Sequence, residues 1–331
     1  MASSRPFLGL CVLVFGLLVP GLFVAQSLLA QTNAYPNRAL RIVVPYPPSG
    51  GTDAVARSLA QKMTEILGQT VIIDNRPGAN GIIGTDWAAK APADGYTALI
   101  TLATHVINPA LYAKLPYGPN DLIPVTLLAQ YPFVITVHPS LPVRELNDFI
   151  QFVKKRPGQL SFASSGNGSG PHLGMELFKS MAHIDLIHVP YKGASQAMSD
   201  LVSGQVSVFF NNFLAGASMI KAGRLRALAV TSAKRSSVAP DLPTVSEAGL
   251  AGYVVTGWYG LMLPQATPAA VQNTLYEATV KALQSPEVKT RLASEAAQVV
   301  ANSPQEFNLF LKQETEKWAG VIRQANVHLS L

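Results

Sequence analysis

Leu40-Arg41-Ile42-Val43-Val44-Pro45-Tyr46-Pro47-Pro48-Ser49-Gly50-Gly51-Thr52-Asp53, residues 40–53, is the stretch on which the fold turns. Leu40–Pro45 is a short run rich in Ile and Val, the pattern of a buried strand. A Pro/Gly loop follows. Asp53–Leu67 then places Ala56, Leu59, Ala60, Met63, Ile66 and Leu67 at helical spacing, with Gly68 as the stop signal. Thr70–Asp74 predicts the next strand, Ala79–Lys90 a helix, Ala93-Asp94-Gly95 a turn and Tyr96–Leu102 a third strand. Strands alternating with helices at this spacing predict an α/β fold with a largely parallel sheet.

The pattern continues outward from there. Phe133–His138, Leu160–Ala163, Leu186–Val189, Val206–Phe210 and Leu225–Thr231 are predicted strands. Between them lie predicted helices at Arg144–Lys155, Pro171–Ala182, Ala194–Ser203 and Phe213–Ala222. Trp258 and Tyr259 fall in an apolar strand-like segment, where core or hinge packing is the default expectation. After Pro264 the chain reads as helical. Thr267-Pro268 and Ser285-Pro286 each set a capping residue before a first-turn proline, and Ser303-Pro304-Gln305-Glu306 has the form of a capping box.

Composition bounds the class of protein. Of 331 residues, 48% are hydrophobic and 13% charged, too apolar for a disordered chain. The length suggests two domains, each able to bury a core. Between Arg5 and Arg38 no residue is charged, and the apolar run from Phe7 to Ala25 is followed by Ser27, Ala30, Thr32 and Ala34. A basic residue, an apolar run and a small-residue exit form the layout of a secretory signal peptide, residues 1–34, cut after Ala30 or Ala34. An uncleaved anchor is the alternative reading, and Pro20 favours cleavage. Cys11, the single cysteine, lies inside this run, so the mature chain would carry none, which suits an oxidising compartment. It also excludes a disulfide framework and any cysteine-based zinc module. The formal charge of +6 invites an anionic partner without naming it.

Two loops could carry chemistry, and each links a strand to a helix. In the first, Tyr46–Asp53, Gly50 and Gly51 let backbone approach a ligand, and the helix start offers unpaired N–H groups and a positive dipole end. Alternatively, Thr52 or Asp53 caps the helix and Asp53 pairs with Arg57; both can hold together. The second, Ser164-Ser165-Gly166-Asn167-Gly168-Ser169-Gly170-Pro171-His172, is dense in small hydroxyl and amide groups and contains no acid. It suits a cradle for a carboxylate or phosphate, against the alternative of a flexible surface loop. Pro171 spoils any Gly-x-Gly-x-x-Gly nucleotide fingerprint, and no phosphate-loop Gly-Lys-Ser/Thr occurs. Ser165, Ser169 and Ser195 lack the flanking glycines of a hydrolase elbow. His105, His138, His172, His183, His188 and His328 show no metal spacing, so neither a metal nor another cofactor is expected. His183, His188 and His328 are expected to pack, while His105 and His172 lie in or beside the suspected loops. Basic residues are scattered without interleaved aromatics, which argues against nucleic acid.

In order, Val44–Asp53, Asp74-Asn75-Arg76-Pro77-Gly78-Ala79-Asn80-Gly81, Ala93-Asp94-Gly95-Tyr96-Thr97, Asn108-Pro109-Ala110-Leu111-Tyr112, Ser164–Leu173, His188-Val189-Pro190-Tyr191-Lys192-Gly193, Asp241–Gly249 and Trp258-Tyr259-Gly260-Leu261 resemble the tripartite tricarboxylate transporter substrate-binding family, the Bordetella-uptake-gene type of periplasmic solute receptor. The resemblance implies a two-lobed α/β periplasmic binding protein of type II (a Venus flytrap), with a mainly parallel sheet in each lobe. Lobe 1 would comprise residues 35–132 and 257–331, and lobe 2 residues 133–256. The implied function is capture of a small carboxylate, a di- or tricarboxylate or an aromatic acid, and its delivery to membrane permease subunits. A ligand-sensing partner of a membrane sensor kinase and an exported enzyme are the alternatives. By the same resemblance, Tyr46, Ser49, Gly50, Gly51, Thr52 and Asp53 hold one carboxylate, partly through waters. Thr104, His105, Ser164, Ser165, Gly166, Asn167 and Ser169 complete the grip. The chain departs from its relatives at Ser207 and Asn211, where aspartate is common. A neutral Asn211 in the cleft predicts an anionic ligand without an ammonium group. The expected protein is a non-enzymatic, periplasmic monomer.

Overall fold

Residues 35–327 are described in a computed structural model; the expected leader, residues 1–34, and His328 lie outside the described residues. β1 (Leu40–Val44) runs into α1 (Gly51–Leu67), which buries Val55, Ala56, Leu59, Ala60 and Met63 along one face. Gly68 closes α1 in the left-handed conformation, φ 65°, its N–H donating to the Thr64 carbonyl. β2 (Val71–Asn75) follows. The predicted helix Ala79–Lys90 is broken in two: a 3₁₀ turn over Ala79–Gly81, then α2 (Ile82–Ala89). The break falls at Asn80, which takes φ 53° and donates from Nδ2 to Asn108 Oδ1 at 2.9 Å. β3 (Thr97–Thr101) leads to α3 (Thr104–Leu111), which carries Asn108.

β4 (Leu122–Val137) is 16 residues long. Only its second half corresponds to the predicted strand Phe133–His138. The next segments are α4 (Leu146–Lys154), β5 (Ser161–Ser164), α5 (Gly170–Ala182), β6 (Ile187–Pro190), α6 (Ala194–Val202), β7 (Val208–Asn212), α7 (Phe213–Lys221) and β8 (Arg226–Val230). β9 (Thr256–Pro264) is followed by α8 (Ala269–Leu283), α9 (Pro286–Ala293), the short β10 (Gln298–Val299) and α10 (Pro304–Ala325). No helix of the described residues is long and apolar enough to cross a membrane.

The strand order is β2-β1-β3-β9-β4-β7-β5-β6, with β8 and β10 also on β4. β1 pairs in parallel with β2 and β3, and β5 with β6 and β7. The centre is antiparallel. β4 pairs with β9 from Leu122↔Pro264 to Pro132↔Thr256, then with β7 from Phe133↔Asn212 onward. The fold is thus the expected two-lobed α/β type, parallel on each flank and antiparallel where β4 runs from one half to the other. Both flanks obey the local strand–helix pattern. The centre follows from a strand that must change partners midway.

α10 packs its apolar face under this centre, and Trp258 and Trp318 are fully buried there. Both indole N–H groups donate to Glu314 Oε2, at 3.3 and 3.0 Å, and Lys317 pairs with the other oxygen. A buried carboxylate is tolerable only when its lone pairs are used in this way. Ser303 and Glu306 form the predicted capping box, and Ser285 caps α9 by accepting from the Val288 N–H. Thr267 does not cap its helix: Pro268 holds that position, and the Thr267 hydroxyl donates back to the Pro264 carbonyl at 2.7 Å. Gly260 of β9 faces Phe307 of α10, where an added Cβ would fall 2.3 Å from the ring. Gly260→Ala is therefore expected to cost about 1–3 kcal/mol by overpacking. Urea unfolding should give a lower midpoint with an unchanged slope.

Candidate functional site

Several helices of the fold begin at one cleft of about 970 Å³, at the upper end of the usual range for small-molecule sites. Its walls include Gly51 and Thr52 at the start of α1, Thr104 of α3, Gly170 and Pro171 of α5, Ala194 of α6, and Asn212 just before α7. Each of these helices follows a strand, so the cleft lies off the strands' carboxyl ends, where open α/β sheets place their ligands. No side chain caps α1, α3 or α6. Their starts, without a side-chain cap, bring positive dipole ends to the cleft wall, and Asp53 in the first turn of α1 offsets part of that end.

The structure brings seven of the sequence-predicted residues to this wall: Tyr46, Gly51, Thr52, Thr104, Ser165, Ser169 and Asn211. Tyr46 and Thr104 share a hydrogen bond at 2.5 Å between their hydroxyls. Burial raises the Tyr46 phenol far above its ordinary range, against the lowering effect of Thr104, so it stays a neutral hydroxyl. The other seven, Ser49, Gly50, Asp53, His105, Ser164, Gly166 and Asn167, do not line the cleft. Asp53 caps the loop instead: Oδ2 accepts from the Ser49 N–H and Arg57 Nε, and Oδ1 accepts from Asn75 Nδ2, each at 2.9 Å. Burial alone would raise its carboxyl, yet these bonds outweigh it and hold the group below the usual carboxylate range. Of the alternative reading, the Asp53–Arg57 pair is realised and the helix cap is not. His105 has an enclosed Nδ1 without a protein partner, and burial lowers its pKa to about 4.

Behind the second loop, His172 and His188 stack with ring centroids 3.8 Å apart, and Phe162 lies against His188 at 4.7 Å. Both rings grip the loop in their neutral forms. The Gly168 N–H donates to His172 Nδ1 at 3.1 Å, and Ser164 Oγ hydrogen-bonds His188 Nε2 at 2.7 Å. Ser169 caps α5 by accepting from the His172 N–H. The segment is thereby a braced cradle rather than a flexible loop. Burial lowers the pKa of His172 to about 3, helped by His188 and Lys179, and that of His188 to about 4.

Asn211 is 1% exposed, and its Nδ2 has no protein partner. Oδ1 is 3.2 Å from Thr136 Oγ1, which also lies 3.0 Å from the Phe209 carbonyl. Thr136 has a single hydroxyl proton to give, and turning the amide over would only exchange which Asn211 atom is orphaned. Ser207, the other departure from the family pattern, does not line the cleft.

The sequence reading missed three charged side chains in the cleft wall: Lys192, Arg291 and Glu295. Lys192 precedes the Gly193 start of α6 and forms no ion pair among the described residues. Its strand–glycine–helix setting repeats that of the first loop, a signal that was available. Arg291 and Glu295 come from α9 and the residues after it, far from either loop in sequence. Glu295 is 6% exposed, accepts the Tyr259 hydroxyl at 2.6 Å on Oε2 and pairs with Arg291 through Oε1. Asp53, the carboxylate within the two loops, does not line the cleft, whereas Glu295, distant from both in sequence, does.

A family model described as "Tripartite tricarboxylate transporter family receptor" matches residues 55–327. The chain belongs to that family. It is 39% identical over 294 residues to a UPF0065 protein from the tcbD–tcbE intergenic region of Pseudomonas sp. strain P51, spanning 88% of each chain. Among solved structures, R. palustris Rpa4515 with adipate superposes with a TM-score of 0.81 at 35% identity, covering 90% of this chain and all of that one. The periplasmic binding protein BugD gives a TM-score of 0.78 at 34% identity, over 90% of this chain and all of that one. The protein is thus a solute-binding receptor of the tricarboxylate transporter family, with the periplasmic binding protein fold.

The receptor's histidines set a pH dependence. A folded pKa depressed below the unfolded value near 6.5 gives stability that is present above pH 6.5 and lost as pH falls toward the folded value. For His172 alone the loss between pH 6.5 and pH 5 is about 2 kcal/mol. Urea midpoints should fall over that window, and His172→Phe, which keeps a ring in the stack, should flatten the slope. Asp53, also depressed, contributes above about pH 3.9 and is lost only below it, so its effect falls in a separate window.

Proposed function

We propose that this receptor captures a small organic acid between its two lobes and presents it to the membrane permease of a tripartite transporter, after export directed by residues 1–34. The observation that carries this is the convergence of the uncapped starts of α1, α3 and α6 on one cleft, beside Lys192, which has no ion pair among the described residues. Each helix end favours an anion by about 0.3–1 kcal/mol, and each charge-assisted hydrogen bond adds about 1.5–3 kcal/mol. The lobes divide where β4 changes partners, residues 35–132 with 257–331 against residues 133–256. Ligand contacts to both sides favour the closed state only as far as they exceed contacts to one. The adipate carried by Rpa4515 supports a carboxylate ligand.

The ligand carries no ammonium group. Asn211 is neutral, and both oxygens of Glu295 are already engaged by Tyr259 and Arg291. No reaction is assigned to the cleft. The Ser164–His188 pair has the spacing of a nucleophile and its base, but Ser164 is buried, also bonds the Gly166 backbone and does not line the cleft. Its geometry supports a bracing role.

Thermal-shift and calorimetric screening should find stabilisation by simple organic acids and none by glutamate. Lys192→Met should weaken the bound acid at least about tenfold without lowering the melting temperature of the free protein. Tight binding of glutamate with no response to any simple acid would refute the ligand class, and unchanged affinity in Lys192→Met would remove that residue from the site.

A further inference from the structure

Away from the cleft, the fold gathers basic residues that are scattered in the sequence. Residues 139–156 and 221–226 hold seven Lys and Arg against two Asp and Glu. The segment after β4, one face of α4 and the start of β8 enclose a groove of about 760 Å³ whose lining includes Arg144, Lys155, Arg156 and Arg226. None of these four forms an ion pair among the described residues. By contrast, Arg38, Arg41, Arg57 and Arg76 each meet an aspartate. The dipole of α4 does not account for the set. Lys155 and Arg156 follow its end, where cations are favoured, but Arg144 precedes its start and Arg226 belongs to β8. Asp148, the acid in the groove lining, is already occupied: Oδ2 accepts the Arg144 and Glu145 N–H groups at 3.1 and 3.2 Å.

Two of the guanidiniums are held in place. Arg226 Nη1 donates to the carbonyls of Leu141, at 3.4 Å, and Val143. Arg156 stacks 3.9 Å over the Phe152 ring, and its Nη1 donates to the Phe152 carbonyl at 3.4 Å. The remaining N–H groups of each are a pre-oriented fork for a carboxylate, so little side-chain freedom is lost on binding. Half-buried Leu141 and Phe152 and exposed Pro142 add apolar surface to the same lining.

The spacing favours a chain over a single small anion. Arg144 and Lys155 flank the nine residues of α4, about 13 Å of helix, which an extended peptide covers in about four residues. Arg156 and Arg226 are half-buried in the groove, out of reach of a flat lipid surface. The groove also lies at the far end of its strands from the cleft. β7 meets the cleft at Asn211 and Asn212, whereas the groove follows Val137, which pairs with Val208 at the opposite end of β7.

We propose that this groove docks an acidic, extended segment of a partner protein, with its carboxylates on Arg144, Lys155, Arg156 and Arg226 and an apolar residue against Phe152. A partner held there leaves the cleft open to ligand exchange. The docking does not depend on which acid the cleft takes.

The test is fluorescence anisotropy on the whole mature protein, with a short fluorescein-labelled peptide of glutamates interrupted by leucines. The peptide should bind, with an affinity that falls steeply as salt is raised, and its counterpart with glutamine for glutamate should not. Arg144→Glu combined with Lys155→Glu should weaken the peptide at least about tenfold with an unchanged melting temperature, since both side chains are exposed. Lys289→Glu combined with Lys312→Glu changes the net charge equally on exposed positions of α9 and α10, and should leave affinity within about threefold. Should charge reversal disturb α4, Arg144→Gln combined with Lys155→Gln should act in the same direction. Absence of peptide binding would overturn the proposal, as would equal losses in the two reversed pairs, which would mean a general attraction. Binding to phosphatidylglycerol vesicles that Arg144→Glu with Lys155→Glu abolishes, without a response in peptide binding, would replace the peptide by a membrane surface.

Discussion

Everything that makes the cleft depends on one strand changing partners. β4 is held along its first eleven residues by β9 and from Phe133 onward by β7 and β8. A backbone ladder is the least adjustable interaction in a protein, because each unpaired buried N–H or carbonyl carries the cost of a lost hydrogen bond. Fixing β4 in two ladders fixes the parallel flanks β2-β1-β3 and β7-β5-β6 relative to it. The loops after β1, β3, β5, β6 and β7 then face a common space. The helix starts converge because their strands are tied to the same pair of central strands.

The flanks were legible in the sequence and the centre was not, for a physical reason. A strand followed by a returning helix is a local pattern, written in Leu40–Val44 and in the spacing of Leu59, Ala60 and Met63. β4 carries no such pattern in its first half. Pro124 and Pro132 break the apolar run, and the register with β9 shifts between Pro124 and Thr126 and again between Leu127 and Ala129. Irregularities of that kind bend a strand and let it tolerate proline, and they erase the alternation that would announce it. The break in the predicted helix at residues 79–90 has the same character. Asn80 and Asn108 bond each other across 28 positions, an interaction that no local window contains.

The same distinction holds for the cleft. Glycine, hydroxyl and amide residues between a strand and a helix marked Gly51, Thr52, Ser165 and Ser169, all of which reach the wall. Composition could not separate them from neighbours such as Asp53 and Ser164, which hold the loops in shape from behind. Asp53 gathers three donors, and Ser164 leans on a neutral histidine stack; both are bracing roles that share the residue types of a binding role. Arg291 and Glu295 carried no usable signal, since an arginine and a glutamate four apart at a helix end read as an ordinary surface pair.

Bringing that pair into the cleft changes what the charge of the protein means. A formal +6 spread over 331 residues sets only a weak field, and much of it is screened within a Debye length of about 8–10 Å. Inside the cleft the count is three side chains: Lys192, Arg291 and Glu295. Arg291 and Glu295 pair with each other, and Lys192 forms no ion pair among the described residues. The carboxylate inside the cleft is thus placed by the packing of α9 against α1, not by either loop.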